Sequence, residues 1–421
     1  MIGHSLRLLS AYILKNRKVF LLGLIFGVLF VLGTVYVFPI INNGEKTETI
    51  GVAGNVTVAN LPSFIQEKIS FGLTSASSTF YATDSGKTWF FKIKPDLYWQ
   101  DGKKFTTSDV NYQLADVKIV PLDPETVRFD LVGPFAPLPS VLLQPLFKPG
   151  LIGLGEYKVK AIKSNGRFLQ SLIISKGKEN LYYKFYPTEG QLKTAFKLGE
   201  IDKITLQNIS GLGDYPRTQT VNYKEQAIAF FNTKDEVTAD KSFRQALLYS
   251  LSELPEFGTP SAGPISPDSW AYNQNMKFYR PNVDLAKKML AKHVASGEGK
   301  LKISSTLVLY PVAQDLQKMW SRAGLEVEVE ASEVKPENFD VFLTYVEIPA
   351  DPDQYQLWHS TSALNISSYK SPKSDKLLEE GRQETDEKTR RLKYLDWQKA
   401  ITEDAPAAFL FFPYTYTVTR N

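Results

Sequence analysis

The feature that most constrains this chain is an uncharged apolar run, Val19–Ile41. At about 1.5 Å per residue, a helix of this length spans roughly 33 Å, enough to cross the hydrocarbon core of a bilayer. Residues 1–18 contain four basic residues and no acidic one, which predicts a cytoplasmic N-terminus and an outward-facing body. We therefore expect a basic cytoplasmic tail over residues 1–18 and a single-pass signal anchor over residues 19–41, with the lipid bilayer as a partner.

A cleaved signal peptide is the alternative interpretation of this run. Such a peptide has an apolar segment of about 7–15 residues that ends in a small-x-small cleavage site. This run is longer, and it ends in Tyr36, Val37, Phe38 and Pro39. The sequence therefore favours an uncleaved anchor, followed by a polar tether over residues 42–49.

The charge and the reactive residues of the body exclude several classes of function. The net charge of +4 belongs to the tail, because the rest of the chain has 45 basic and 45 acidic residues. A neutral body gives no reason to expect nucleic acid as a partner. The chain has no cysteine and only three scattered histidines, so we expect no metal site and no cofactor. No nucleophile elbow, zinc-ligand spacing or Walker motif occurs, so we do not expect an enzyme.

The length of 421 residues exceeds one ordinary core, so two lobes are expected. The second half alternates strands and helices, which indicates an α/β lobe. In the first half we expect a short helix over Val110–Leu114, capped by residues 107–109. The strands predicted in the second half are Gln226–Asn232, Leu301–Leu309, Leu325–Glu330, Glu337–Val346 and Phe409–Thr419.

The stretch Thr344–Leu378 is the best candidate for a ligand site. It begins in a strand, breaks at Pro349 and Pro352, and contains an acidic pair, Asp351 and Asp353. We interpret this stretch as the wall of a ligand cleft. The alternative is that the two acidic residues only form turns beside Pro352, as aspartate readily does.

Six blocks of the body carry a resemblance to a known family. They are Gly86–Val110, Thr126–Leu131, Gly153–Tyr157, Leu198–Asp202, Phe231–Leu247 and the candidate stretch with Ser368–Leu378. In this order they resemble the extracellular solute-binding proteins of oligopeptide and dipeptide ABC transporters, solute-binding family 5. The third block lacks the Thr and Pro of the family's G-T-G-P-Y pattern, and the N-terminal part of the first lobe is shorter than in typical peptide binders. A transmembrane anchor stands in place of the lipidated cysteine of many members.

The resemblance implies an α/β periplasmic-binding-protein-like clamshell whose two lobes close on ligand by a hinge motion. The expected first lobe covers residues 50–230 and is completed by 406–421, and the second covers 231–405. The implied hinge includes Phe230, Phe231 and Asn232.

In peptide-binding relatives an aspartate at the start of this stretch pairs with the ligand's α-ammonium, and Asp351 falls on that position, with Asp353 as the fallback. Trp358 and His359 are expected to line the pocket or to pack against the hinge. Ser266–Tyr272 could supply an aromatic wall. Its two candidate residues are Trp270 and Tyr272, and packing within a lid is the alternative.

These expectations describe a membrane-tethered, extracytoplasmic subunit that captures peptides for an ABC importer, with permease subunits as partners. A second interpretation keeps the fold but not the import of peptides. It describes a tethered ligand-sensing receptor, or a binder of another solute such as a nickel chelate or a sugar. The third interpretation is a degenerate scaffold or an enzyme.

Overall fold

A computed structural model describes residues 45–297 and 299–420 of the chain. The predicted tail and anchor, together with residues 42–44 of the predicted tether, lie outside these ranges. Residues 46–49 of that tether lie in the first strand. Within the described ranges, no helix combines the length and the apolar character needed to cross a membrane.

The strands are numbered β1–β16 in chain order. They are Lys46–Ala53, Ser77–Thr83, Thr88–Ile93, Val117–Pro121, Thr126–Leu131, Lys158–Asn165, Phe168–Lys176, Glu179–Tyr186, Lys203–Leu206, Arg217–Val221, Glu225–Phe231, Gly258–Pro260, Lys300–Ser305, Glu326–Ala331, Val341–Glu347 and Ala407–Thr419.

The α-helices are numbered α1–α10 in the same way. They are Ser63–Ile69, Leu73–Ala76, Leu138–Val141, Glu189–Leu198, Lys241–Tyr249, Val283–Ala295, Tyr310–Arg322, Tyr355–Trp358, Pro372–Gln383 and Glu387–Asp404. Short 3₁₀ turns occupy Asp84–Gly86, Thr107–Asp109 and Leu307–Leu309.

Packing groups the described residues into two compact units. The first contains residues 45–61 and Glu156–Asp202, and the second contains Pro62–Gly155 and the residues from Lys203 onward. The lobe boundary expected between residues 230 and 231 lies inside the second unit, in strand β11, and stays a prediction.

The first unit is a small sheet with one helix. Strand β1 pairs in parallel with β8, which pairs antiparallel with β7, and β7 pairs antiparallel with β6. Helix α4 begins at a side-chain cap, where Thr188 Oγ1 accepts from Gln191 N, and ends at Gly199 with φ of 83°. The buried side chains of Leu192 and Phe196 form its apolar face.

The second unit contains a mixed sheet in the order β14-β13-β15-β11-β16-β9, with β10 and β12 also pairing with β16. Strand β13 is parallel to both β14 and β15, whereas β11 is antiparallel to β15 and β16. Residues 226–231 of β11 are all buried, as expected of a strand covered on both faces. Because the two strands are antiparallel, the end of β15 lies beside the start of β11, and the candidate site is at that edge of the sheet.

A separate antiparallel sheet in the second unit has the order β2-β3-β5-β4. Its core is aromatic: Phe91 lies 5.5 Å from Phe129 and Trp89 lies 6.3 Å from Phe91, measured between ring centroids. Alternating buried side chains on β3 and β5 produce this face. The sequence predicts a hairpin with strands over Val117–Val120 and Thr126–Leu131, and the antiparallel pairing of β4 with β5 confirms it.

Two predictions of local structure are wrong. The helix predicted at Val110–Leu114 is absent, because Asp109 reaches back to the backbone N–H of Thr106 at 2.9 Å and closes a single 3₁₀ turn, after which Val110 is extended. The strand predicted over Leu301–Leu309 ends at Ser305, and its last residues form the 3₁₀ turn before helix α7. In both places, a local turn outcompetes the pattern of apolar residues.

Candidate functional site: a cavity at the end of strand β15

Strand β15 leads directly into the site. Its final residue is Glu347, and the N–H of Ile348 donates one more bond to the carbonyl of Lys224, at 2.8 Å. Pro349 and Pro352 have no N–H to extend the ladder, so the chain leaves the sheet there. We refer to residues 349–361, which include helix α8, as the wall.

One face of helix α9 holds the wall in place. Asp375, Glu379 and Arg382 are spaced by four and three residues, so their side chains share that face. Asp375 Oδ1 accepts from the N–H of Ser360 at 2.9 Å, and Glu379 Oε1 lies 3.1 Å from His359 Nε2. The wall is therefore attached to a regular element by side-chain hydrogen bonds.

Arg382 forms the third attachment. Its Nε and Nη2 atoms donate to Asp353 Oδ2 at 2.9 and 2.7 Å. The guanidinium carbon lies 4.0 Å from the centroid of the Tyr355 ring, and the same ring stacks on His359 with a centroid distance of 4.0 Å. Such a cation–π contact favours one fixed position for the arginine.

Asp351 is joined to Arg390 of helix α10 by a bidentate ion pair. Arg390 Nη1 donates to Oδ2 at 2.8 Å and Nη2 to Oδ1 at 2.6 Å, and the two side chains are only 11% and 7% exposed. The N–H of Asp353 also donates to Oδ1 at 2.9 Å, and the Ser140 hydroxyl lies 3.4 Å from Oδ2. A carboxylate offers about four acceptor positions, so these donors occupy all of them.

The surroundings of Arg390 favour its charged form. Burial acts to lower the pKa of Arg390, but the hydrogen bonds and the charge of Asp351 outweigh burial and raise the pKa overall. Arg390 also donates to the carbonyl of Gly381 at 2.7 Å and to the Tyr394 hydroxyl at 3.2 Å. The arginine thus connects the wall, helix α9 and helix α10.

A cavity of about 420 Å³ lies between the wall and the segment 135–141, with residues of both lining it. This volume falls in the range of small-molecule sites. Its apolar surface includes Phe135, Val141 and Leu357. The charged residues of the lining are Glu347, Asp351, Asp353 and Arg382.

Glu347 differs from the other two carboxylates of this lining. Its side chain is exposed, and it makes no ion pair with any residue of the described ranges. Glu225 lies directly opposite it in the antiparallel pairing of β11 and β15. Burial raises the pKa of Glu225, amide hydrogen bonds from Gln207 and Asn222 act against that rise, and the charge of Glu347 adds to it.

Gln354 lines the cavity, and its amide includes a buried acceptor. Its side chain is 2% exposed, and its Nε2 donates to the carbonyl of Pro264 at 3.4 Å. That bond fixes the orientation of the amide, and Oε1 then has no hydrogen-bond partner. A buried acceptor without a donor is costly, so this atom is suited to a ligand's N–H group.

Of the residues predicted to contact ligand, the structure brings Asp351 and Asp353 to the cavity. Trp358 belongs to the wall but is not in the cavity lining; it is fully buried, with ring centroids 5.4 Å from Phe230 and 5.6 Å from Phe409. His359 is also outside the lining. Its Nδ1 atom lies 2.8 Å from the Thr361 hydroxyl, and the ring is buried.

The aromatic residues predicted from the long loop also lie outside this lining. Trp270 packs edge-on against Tyr394 at 6.3 Å and lies 5.6 Å from the guanidinium carbon of Arg390. Tyr272 is half-buried, and burial raises its pKa. The ligand-contact roles of Trp270 and Tyr272 stay predictions.

The residues predicted for the hinge occupy the end of strand β11. Phe230 and Phe231 are fully buried, and Asn232 follows them. The Asn232 side chain donates to the carbonyl of Phe339 at 2.9 Å, and its N–H donates to the carbonyl of Asp340, also at 2.9 Å. These bonds join the ends of two neighbouring strands, and the hinge role itself stays a prediction.

Three residues of the cavity region were not anticipated from the sequence: Glu347, Gln354 and Arg382. The spacing of Asp375, Glu379 and Arg382 was a visible signal, since it marks one polar face of a helix. The sequence signal for Glu347 was weaker: it is a charged residue at the end of an apolar strand, two residues before Pro349.

Residues 74–368, more than half of the chain, match the middle region of the bacterial extracellular solute-binding proteins, family 5. The chain belongs to this family. The resemblance carried by the six sequence blocks is therefore confirmed.

Two curated relatives differ in how much of their length is matched. The oligopeptide-binding protein AppA of Bacillus subtilis (strain 168) is 30% identical over 219 residues, which are 44% of this chain and 40% of that protein. Protein XP55 of Streptomyces lividans is 23% identical over 401 residues, covering 78% of this chain and 73% of that protein. The chain thus matches less than half of the length of AppA.

Solved structures show the same fold. The ABC transporter substrate-binding protein CtaP from Listeria monocytogenes has a TM-score of 0.76 at 19% identity. AppA from Bacillus subtilis in complex with a nonapeptide has 0.68 at 20%, and NikZ from Campylobacter jejuni in complex with Ni(L-His) has 0.70 at 19%. Each comparison covers 89% of this chain and 94% of the other. The predicted α/β, periplasmic-binding-protein-like fold is confirmed.

Proposed function

We propose that this chain is the substrate-binding component of an ABC-type importer and that it captures peptides in the cavity at the end of strand β15. Membership of family 5 supports solute capture. One relative is named an oligopeptide-binding protein, and one structure of the same fold was solved with a nonapeptide. Both facts support peptides as the class of solute.

The chemistry of the cavity is the observation on which this proposal rests. A peptide presents backbone donors and acceptors, charged ends and apolar side chains, and the lining contains groups that match each of them. The ion pairs of Asp351 with Arg390 and of Asp353 with Arg382 make the wall stiff. A preformed wall lowers the entropy cost of binding.

The predicted site residues take two kinds of role in this proposal. Asp351 and Asp353 form part of the cavity surface, and their direct contact with ligand stays a prediction. Trp358 and His359 attach the wall to its neighbours, because Trp358 packs on Phe230 and His359 lies within hydrogen-bonding distance of helix α9.

We further propose that residues 19–41 tether the protein to the membrane, with its body outside the cytoplasm and ABC permease subunits as partners. The uncharged run and the basic residues before it support the tether. Fractionation of cells tests it: a membrane-bound chain that keeps its first 41 residues is expected, and a soluble chain lacking them would contradict it.

Peptide capture is tested with the full-length chain in detergent and a random pentapeptide library. The chain is washed, and the retained peptides are identified by mass spectrometry. We expect retained peptides and a higher midpoint of thermal unfolding in their presence, because ligand binds the folded state. If no peptide is retained and the unfolding midpoint does not shift, the proposal is refuted.

A non-peptide solute such as a nickel chelate is the second candidate, since a structure of the same fold is a nickel–histidine complex. Within residues 45–297 and 299–420, no group of three or more His, Cys, Asp or Glu side chains could hold a metal ion. Titration with nickel and free histidine separates the candidates: a thermal shift with the chelate and none with peptides would favour this solute.

A further inference from the structure

We infer that Glu347, rather than Asp351, binds the cationic group of the ligand, with Gln354 Oε1 as a second acceptor. The inference rests on the proposed capture of peptides and deepens it, because it assigns the contact with a peptide's ammonium group to a particular residue of this chain. It differs from the expectation drawn from the family resemblance, which placed that contact at Asp351.

The charges of the cavity single out Glu347. Three carboxylates line the cavity, and two of them are already matched: Asp351 by Arg390 at 2.6 Å and Asp353 by Arg382 at 2.7 Å. Glu347 has no arginine or lysine paired with it in the described ranges, so the lining as a whole has an uncompensated negative charge. A cation entering the cavity is attracted to that charge.

Asp351 is poorly suited to a second cation. Its acceptor positions are filled by Arg390, by the N–H of Asp353 and by the Ser140 hydroxyl. An incoming ammonium could gain access only by displacing one of these donors. It would also approach the positive charge of Arg390, which repels it.

The neighbourhood of Glu347 adds to its attraction for a cation. Glu225 is its direct partner across the two strands, and side chains in such positions lie about 5 Å apart at their β-carbons. Lys224 is next in sequence to Glu225, but its ammonium lies 3.7 Å from Glu67. A ligand cation would therefore relieve the repulsion between two carboxylates.

Gln354 supplies independent evidence that a donor belongs here. Its buried Oε1 lacks a hydrogen-bond partner while Nε2 is fixed on Pro264, and the residue lines the same cavity as Glu347. An ammonium has three N–H donors, so one can bond to the carboxylate and another to the amide oxygen. A carboxylate and a neutral acceptor together favour an ammonium over a neutral amide.

The test uses the full-length chain with two probes, a random pentapeptide library with free amino termini and the same library with acetylated amino termini. We expect the wild type to retain the free library about tenfold better, as for one charge-assisted contact. Glu347→Gln should abolish this preference. Glu347→Asp, which keeps the charge, should retain part of it.

The matched control is Glu328→Gln, which makes the same change at an exposed strand position of β14, outside the cavity. It should keep the full preference. Gln354→Leu, which removes the amide acceptor, should reduce the preference without abolishing it.

The outcomes separate this inference from the proposed function. If the wild type retains neither library, both the inference and the proposed capture of peptides are overturned. Equal retention of the two libraries by the wild type, or an undiminished preference in a folded Glu347→Gln variant, overturns the inference and leaves peptide capture standing.

Discussion

The cavity lining holds carboxylates in two different surroundings, buried beside arginine in the wall and exposed at the end of strand β15. In the wall, Asp351 is buried against Arg390 at 2.6 Å and Asp353 against Arg382 at 2.7 Å. At the end of strand β15, Glu347 is exposed and has no ion pair within the described part of the chain. On folding, the wall carboxylates lose contact with water and gain contact with arginine, whereas the Glu347 side chain remains exposed to solvent.

This difference separates two uses of charge in one site. A buried pair fixes geometry, because removal of one partner leaves an uncompensated charge in the interior. An exposed carboxylate adds little to stability, and its acceptor positions remain available to a ligand. Substitutions in the wall should therefore change stability most, and substitution of Glu347 should change binding most.

Asp351→Asn has the largest expected effect on stability. It leaves Arg390 charged and buried without a counter-charge, so the free energy of unfolding should fall by about 3–5 kcal/mol. Urea denaturation followed by tryptophan fluorescence measures the change. Adding Arg390→Met should recover most of the loss, because both charges are then absent.

An exposed pair serves as the control for this effect. Lys300 and Glu326 lie 3.2 Å apart, but their side chains are 76% and 62% exposed. Glu326→Gln should therefore cost less than about 1 kcal/mol. Equal losses in Asp351→Asn and Glu326→Gln would show that the buried pair does not stabilise the wall.

Asp353→Asn should have an intermediate effect. Asp353 is mostly buried, but Arg382 is 25% exposed, so water can partly solvate the arginine that is left behind. We expect a loss of about 2 kcal/mol in the free energy of unfolding, typical of hydrogen bonds to a charged group. A loss as large as that of Asp351→Asn would indicate that exposure of the arginine does not matter here.

Glu225→Gln should have the smallest effect, and the size of that effect should depend on pH. Burial raises the pKa of Glu225. The folded state therefore holds this proton more tightly than the unfolded state, and stability falls as pH rises through the raised pKa. Replacement by glutamine should raise the unfolding midpoint at pH 8, and the gain should shrink toward pH 4.5. A constant gain across this range would show that ionisation of Glu225 is not its cause.

The sequence predicted the framework of the site because local patterns determine it. The apolar residues before Glu347 predicted a strand, and Pro349 and Pro352 predicted its end, since proline cannot extend a ladder. The sequence also predicted helices over Ser374–Glu384 and Glu387–Ile401. Helix α9 begins two residues earlier than predicted and ends one residue earlier, and helix α10 begins where predicted but ends three residues later.

The partners of the charged groups could not be predicted in the same way. Arg390 follows Asp351 by 39 residues and reaches it only because helix α10 packs against helix α9. The lack of an ion pair at Glu347 among the described residues is likewise a property of the folded chain. It depends on which basic side chains folding brings near this position. Pairings of this kind are set by tertiary packing and not by local sequence.

The most direct test of the different roles of Asp351 and Glu347 uses the Asp351→Asn/Arg390→Met double variant. In this variant we expect the wall to remain folded without the charge of Asp351. Calorimetric titration with one retained peptide, in free and acetylated forms, gives the ratio of the two dissociation constants. If Glu347 binds the ammonium, the double variant should keep the wild-type ratio, whatever its change in overall affinity. A ratio that falls to one would show that Asp351 recognises the amine and would contradict the account.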